Sequence, residues 1–240
     1  MELCGKTALI TGASSGLGRA IAFRFVQEGA QVVGIGRRNT VAEHAFRYVC
    51  CDITKEEQVQ ALVQTLTKVD ILVNCAGVTA VGSLKTTKTQ TLRQQFEVNV
   101  FGLYELTRQV LPLLEQSREG VIVNVGSELG RWAKADRIAY CPSKAAVEML
   151  TRCMALELAP GIRVNGIMPG LMDTSMTRQR FEDSEDPAAA RLEAGNRYLL
   201  KRLCTVEDAV EAALFLASSR SRFITGEMLA VCGGGQSDTR

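Results

Sequence analysis

Tyr140 and Lys144 lie four residues apart in the stretch "YCPSK", residues 140–144. Positions i and i+4 share one face of a helix, so both side chains can point into one cleft. A free Tyr has a pKa of about 10 and stays protonated at neutral pH. A fixed positive charge beside it favours the phenolate and lowers that pKa. The pair is therefore one way to build a proton donor and acceptor that works near neutrality. Pro142 is tolerated if it falls in the first turn, where backbone N–H groups lack intrahelical partners. Taken alone, these five residues read better as an exposed Tyr and a solvated Lys on a surface helix. The rest of the chain reverses that balance.

Other acid–base chemistry finds little support. The chain of 240 residues has one His, His44, which argues against a Ser-His-Asp triad and against zinc sites of the usual kind. No metal is expected. Eight Cys (Cys4, Cys50, Cys51, Cys75, Cys141, Cys153, Cys204 and Cys232) are scattered without a CxxC. They read mostly as buried free thiols in a reducing compartment, with Cys50 and Cys51 as two residues of a buried strand. The N-terminus has no signal-peptide pattern and no apolar run is long enough to span a bilayer, so a cytoplasmic location is expected. The formal net charge is +2, which gives no argument for nucleic-acid or membrane binding.

The elements that must position Tyr140 and Lys144 follow from periodicity. A composition of 46% hydrophobic and 22% charged residues suits a globular chain with a sizeable core. Apolar runs at 6–11, 31–36, 47–52, 69–74, 120–127, 162–170 and 227–233 read as strands. Between them, 17–29, 55–67, 91–117, 140–159 and 205–218 read as helices. Strands that are apolar throughout and alternate with helices imply an α/β fold with a parallel sheet covered on both faces. A single domain over 1–240 is expected. Residues 171–204 are polar and the least regular. They read as a mobile lid or an ordinary surface excursion with a short helix.

"TGASSGLG", residues 11–18, follows the first strand and opens the first helix. Gly12, Gly16 and Gly18 let the backbone turn tightly and approach a ligand, and the helix N-terminus offers N–H groups to a pyrophosphate. That position in a βαβ unit makes the motif much stronger than a lone glycine cluster.

The spacing G-x3-G-x-G resembles the short-chain dehydrogenase/reductase family. The other pieces appear in order: "NCAG" at 74–77, Asn99 in "FEVNVFG", Ser127 in "NVGS", "YCPSK", and "PG" at 169–170. Ser127 precedes Tyr140 by thirteen residues, the family's usual gap. The resemblance covers the whole chain and implies a doubly wound Rossmann fold with a mostly parallel seven-stranded sheet. There are three departures. Cys75 stands where a second Asn is commoner, Cys232 stands where an Asp is usual, and the short segment 36–52 implies a reduced helix.

The resemblance also implies roles. Tyr140 is the general acid in carbonyl reduction and the base in alcohol oxidation. Lys144 binds nicotinamide ribose hydroxyls and lowers the Tyr140 pKa. Ser127 positions the substrate oxygen. Asn99 breaks helix regularity and holds a water linking Lys144 to solvent. The cofactor is expected to contact Gly12, Ser14, Ser15, Gly16 and Leu17 at the turn. Asp52 and Ile53 are expected at the adenine, with Asn74, Ala76 and Gly77 along the ribose. Pro169, Gly170, Met172 and Thr174 complete the site at the carboxamide.

At the end of the second strand, an Asp or Glu would select NAD(H). The chain instead has Gly36, Arg37 and Arg38. A guanidinium fork suits a phosphate, so NADP(H) is expected over NAD(H), with Arg37 as the main contact. The substrate is expected to be a small carbonyl or alcohol compound held between Ser127–Tyr140 and 171–204. Near that mouth, Arg131, Lys134 and Arg137 form either a basic rim for an acidic partner or solvated loop charges. Trp132, the only Trp, is expected near the nicotinamide. An acyl-carrier-bound substrate, as in 3-oxoacyl-[acyl carrier protein] reductases, stays open. So does a cofactor-sensing scaffold that has lost the chemistry, although such a scaffold would be expected to lose Tyr or Lys. By analogy the helices at 91–117 and 140–159 pair subunits into a homodimer or homotetramer.

Overall fold

Strands that are apolar on both faces need helices on both faces, and the chain supplies them. The computed structural model describes residues 1–39 and 45–235. His44, and part of the segment expected to hold a reduced helix, lie outside the described residues. The strands are β1 (Thr7–Thr11), β2 (Gln31–Gly36), β3 (Arg47–Cys50), β4 (Ile71–Asn74), β5 (Gly120–Val125), β6 (Ile162–Pro169) and β7 (Met228–Val231). They form one parallel sheet in the order β3-β2-β1-β4-β5-β6-β7. The order reverses between β1 and β4. That reversal opens a crevice at the carboxyl ends of the strands, where ligands bind in such sheets.

The helices are α1 (Gly16–Gln27), α2 (Glu56–Gln64), α3 (Thr89–Phe96), α4 (Gly102–Glu115), α5 (Tyr140–Leu158), α6 (Ser175–Glu182), α7 (Pro187–Asn196) and α8 (Val206–Ala217). Successive strand residues feed opposite cores. Ala8 and Ile10 of β1 pack with Ile21 and Phe25 of α1 and Leu214 of α8. Leu9, between them, packs with Val59 of α2, Leu106 of α4 and Val147 of α5.

Three sequence expectations change. The helix expected over 91–117 is α3 and α4 joined by a π-helical turn over Glu97–Phe101. Residues 171–204 hold two helices, α6 and α7, instead of one. The strand expected over 47–52 ends at Cys50 on the sheet edge, so Cys50 is exposed while Cys51 turns inward and is buried. Cys4 and Cys153 are also exposed, so burial of the thiols is only partial.

Helix α8 starts with a reciprocal cap. Thr205 Oγ1 accepts from Asp208 N at 3.1 Å, and Asp208 Oδ2 accepts from Thr205 N at 2.8 Å. Arg202, hydrogen-bonded to Asp208, holds that carboxyl well below the usual carboxylate range. Thr205→Ala is expected to cost about 1 kcal/mol, or about 2–4 °C in Tm for a chain of this size. A thermal melt checks it, and an unchanged Tm would contradict the cap's role.

Candidate active site

Beneath the crevice, Thr11 ends β1 and its Oγ1 accepts from Cys75 N at 2.8 Å and Ala76 N at 2.7 Å. This fixes the loop after β4 against the Gly-rich turn. Gly12 takes φ +70°, and a Cβ there would lie 3.1 Å from Ala76 Cα. At Gly18 a Cβ would lie 2.6 Å from Gly12 O, so only glycine lets α1 come this close to the turn. Ser15 stands at the N-cap of α1 without a side-chain cap, and no acidic residue occupies the first turn. The orphan N–H groups and the positive end of the helix dipole are thus left for an anion.

The crevice holds about 840 Å³ and is lined by Gly12, Ser14, Ser15, Gly16 and Leu17 on this side. Arg37, Asp52, Ile53, Ala76 and Gly77 continue the lining, and Pro169, Gly170, Met172 and Thr174 close the far end. Asp52 Oδ1 is held by Thr54 N and Thr54 Oγ1, at 3.0 and 2.8 Å. Arg38 does not line the crevice. Its Nη1 reaches Ser14 O at 3.2 Å and braces the turn from outside.

Asn74 is also outside the crevice. It is buried, and its Nδ2 donates to Thr107 Oγ1 at 3.1 Å and Asn124 Oδ1 at 2.9 Å. Asn124 Nδ2 donates in turn to Thr151 Oγ1 at 2.9 Å. The two Thr hydroxyls give their protons to Leu103 O and Val147 O, one turn back on α4 and α5. Asn74 therefore ties β4 and β5 to both helices. It does not face the expected ribose.

Ser127, Tyr140 and Lys144 meet on one wall of the same crevice. Tyr140 is the first residue of α5, and Pro142 falls in the first turn as its chemistry requires. Ser127 caps a 3-10 turn over Glu128–Gly130, its Oγ accepting from Leu129 N at 3.2 Å. Burial raises the Tyr140 pKa above its ordinary value, opposed by a hydrogen bond with Ser127. Burial likewise lowers Lys144 to about 8. Lys144 Nζ donates to Val125 O at 2.8 Å and lies 6.0 Å from the Tyr140 ring centre. The ammonium is turned to a backbone carbonyl, and desolvation of the phenol dominates.

Asn99 sits in the π-helical turn and is buried, away from the crevice lining. Its Oδ1 accepts from Val78 N at 2.8 Å, and its Nδ2 donates to Val78 O at 3.0 Å and Ser143 Oγ at 2.9 Å. Ser143 Oγ donates to Tyr140 O at 2.7 Å. The side chain joins the loop after β4 to the start of α5. A Cβ on Gly77 would lie 3.3 Å from Asn99 Oδ1 and 3.5 Å from Lys144 Nζ, so glycine keeps that corner open.

At the mouth, Lys134 and Arg137 line the crevice. Arg131 is paired with Glu148, Nε to Oε1 at 2.9 Å, which removes it from the expected basic rim. Trp132 is 45% exposed and absent from the lining, contrary to its expected place by the nicotinamide.

Two residues of the site were missed in the sequence. Tyr48 of β3 fills the space beside Gly36, where a Cβ would lie 2.8 Å from the Tyr48 hydroxyl. Glu128 lines the crevice and accepts from Tyr198 Oη at 2.7 Å. Its position directly after Ser127 was a usable signal, whereas Tyr198, far along the chain, offered none.

Comparison with known proteins agrees with this geometry. Residues 6–185 match the family model for short chain dehydrogenase. The 3-oxoacyl-[acyl-carrier-protein] reductase FabG of Vibrio cholerae is 35% identical, covering 98% of this chain and 98% of that protein. Ligand-free aldohexose dehydrogenase of Thermoplasma acidophilum superposes with a TM-score of 0.95 at 32% identity, over 99% of this chain and 96% of that one. A Beutenbergia cavernae protein, provisionally assigned as an NAD(P) dependent gluconate 5-dehydrogenase with NADP bound at low occupancy, superposes with a TM-score of 0.88. It is 33% identical over 99% of each chain. With this fold, this crevice and these relatives, the chain belongs to the short-chain dehydrogenase/reductase family of oxidoreductases.

Proposed function

We propose that the chain is an NADP(H)-dependent oxidoreductase acting on a carbonyl compound and its secondary alcohol. The observation that carries this reading is the meeting of Ser127, Tyr140 and Lys144 on one wall of a crevice floored by the Gly-rich turn. When bound, the nicotinamide supplies or takes the hydride. Tyr140 gives its proton to the carbonyl oxygen in reduction and takes it back in oxidation. Its raised pKa keeps the phenol protonated, the form that reduction needs. Ser127 hydrogen-bonds the substrate oxygen beside it. Lys144 binds ribose hydroxyls, and Asn99 positions α5 through Ser143. Arg37 binds the 2′-phosphate, and Gly36, backed by Tyr48, offers no carboxylate to compete for that place. Residues 171–204, with α6 and α7, close over the substrate as a lid.

The test is a parallel titration with NADPH and NADH, followed by NADPH oxidation with a panel of ketones and aldehydes. Because Trp132 is outside the crevice, binding is better read by calorimetry than by Trp emission. Tighter NADPH binding with carbonyl-dependent oxidation is the expected result. Tight cofactor binding without turnover across the panel would favour the cofactor-sensing scaffold. The names of the relatives do not choose a substrate, since an acyl-carrier-protein reductase and two sugar-linked dehydrogenases resemble the chain about equally.

Exposed Phe101 and Tyr104, at and just inside the start of α4, and Met149 and Leu156 on α5 support pairing of two copies through these helices. Sedimentation equilibrium reads that state.

The Lys144 pKa gives the reading a pH signature. Its ammonium is present below about 8 and is lost as pH rises through that value. Ribose hydroxyls accept from the ammonium, so binding favours the charged form. NADPH binding is then expected to take up a proton near and above pH ~8 and almost none near pH ~6, with affinity falling up to about tenfold per pH unit above ~8. Calorimetry in buffers of different ionisation enthalpy measures the uptake. No uptake at the higher pH would remove Lys144 from the cofactor contact.

A further inference from the structure

The crevice contains a carboxylate that the proposed hydride transfer does not use. Glu128 follows Ser127 directly and opens the 3-10 turn that Ser127 caps. Whatever fixes the Ser127 hydroxyl therefore also fixes the base of Glu128. One of its oxygens is held from outside, Oε1 accepting from Tyr198 Oη at 2.7 Å. Tyr198 Oη accepts in turn from Leu171 N at 2.7 Å. Tyr198 is 6% exposed. Its ring and hydroxyl occupy the space that Cβ atoms on Gly170 and Gly235 would need, at 3.2 and 2.8 Å. The phenol is a fixed strut that holds Glu128 in the lining of the crevice that Ser127 and Tyr140 also line, with Oε2 on the side of Gly235, where a Cβ would lie 3.2 Å away.

An ionised carboxylate offers about four acceptor sites and no donor. Glu128 is partly removed from water, and that burial raises its pKa. It lines the same crevice as Ser127 and Tyr140. Tyr198 Oη and the Leu171 N–H serve part of the carboxylate, and the acceptor sites left over are destabilising unless further donors meet them. An unsubstituted alkyl or acyl chain brings none and would strip water from the group. A substrate hydroxyl brings one. An ammonium group would also be a donor, but Lys134 already acts on Glu128 electrostatically and opposes a second cation there.

We propose that Glu128 is a specificity-determining residue that accepts a hydrogen bond from a substrate hydroxyl, so that the substrate class is a carbonyl compound bearing further hydroxyl groups, with the matching polyol as its reduced form. This deepens the oxidoreductase reading above and rests on it. Hydroxyketones, ketoses and aldoses belong to the class, and simple ketones do not.

The experiment compares matched pairs that differ in hydroxylation, erythrulose against butanone and hydroxyacetone against acetone, with NADPH and the full-length chain. The wild type is expected to prefer the hydroxylated member of each pair in kcat/KM by about a hundredfold or more, because a site built to bond a hydroxyl rejects the analogue without it. Glu128→Gln keeps the shape and an acceptor oxygen but removes the charge, and is expected to cut that preference about tenfold. Glu128→Leu is expected to abolish it. Thermal melting and NADPH affinity show that each variant is folded, and the preference ratio, taken within one variant, does not depend on the amount of active protein. Reduction of simple ketones without preference for the hydroxylated partner overturns the inference. So does an unchanged ratio in Glu128→Leu, or a preference for aminoacetone over hydroxyacetone. Failure to reduce any carbonyl compound overturns the oxidoreductase reading itself, and the inference with it.

Discussion

Tyr140→Phe is expected to lower kcat for carbonyl reduction by about 10²–10⁴, the range that positioned proton transfer contributes. The substitution keeps the ring in its half-buried place at the start of α5 and deletes one hydroxyl. Pro142, Ser143 and the Asn99 link to α5 are untouched, so the fold is expected to hold. Lys144 also keeps its partner, because its Nζ donates to Val125 O and not to the phenol. NADPH is therefore expected to bind Tyr140→Phe while turnover collapses. Single-turnover kinetics beside a binding titration separate the two quantities. Near wild-type turnover would remove Tyr140 from proton transfer. Loss of binding together with turnover would show that the hydroxyl is needed to hold the cofactor, and the proton role would then have to be shown separately. Because burial holds the phenol above its ordinary pKa, the acid form persists through the neutral range. Reduction should therefore tolerate moderate alkalinity better than oxidation tolerates acidity, as far as Tyr140 alone sets the profile.

How much of this was legible in the sequence depends on whether a residue acts through local spacing. Tyr140 and Lys144 were readable because four residues along a helix fix their common face. The Gly-rich turn was readable because a strand, a glycine cluster and a helix stand in immediate succession. The sheet could be inferred from apolar runs, since burial on both faces leaves no polar alternation to blur them. Other features rest on contacts between distant segments. Asn74 looked like a ribose contact from its place in "NCAG", but its partners, Thr107, Asn124 and through it Thr151, come from three other elements. Tyr48 matters only because β3 pairs beside β2 and brings its hydroxyl behind Gly36. The π-helical turn at Asn99 sits inside a continuous helical pattern. Periodicity does not register one wider turn, so only the resemblance pointed to irregularity there. Glu128 is adjacent to Ser127, but its place in the site depends on Tyr198, which lies seventy positions away.

Arg37→Ala is expected to weaken NADPH binding by about 10–100-fold, the worth of a charge-assisted hydrogen bond of about 1.5–3 kcal/mol, while NADH binding changes by no more than about threefold. Arg37 lines the crevice beside Gly36, whereas Arg38 is turned to Ser14 O. Arg38→Ala is therefore expected to loosen the turn and weaken both cofactors alike. The contrast between neighbouring arginines is the discriminating result. Equal losses for NADPH in both variants, or an Arg37→Ala effect that NADH shares, would sink the phosphate assignment. The space behind Gly36 adds a further constraint. A Cβ there would sit 2.8 Å from the Tyr48 hydroxyl and 3.3 Å from Ser14 Oγ, so a carboxylate at this position cannot enter while Tyr48 stays in place. Gly36→Asp alone is expected to damage binding of both cofactors. Pairing it with Tyr48→Ala opens the space, and only then is the selection expected to turn toward NADH. The proposed preference for NADPH thus rests on two features, steric closure at Gly36 and the attraction of Arg37. Each can be removed separately and read in the same pair of titrations.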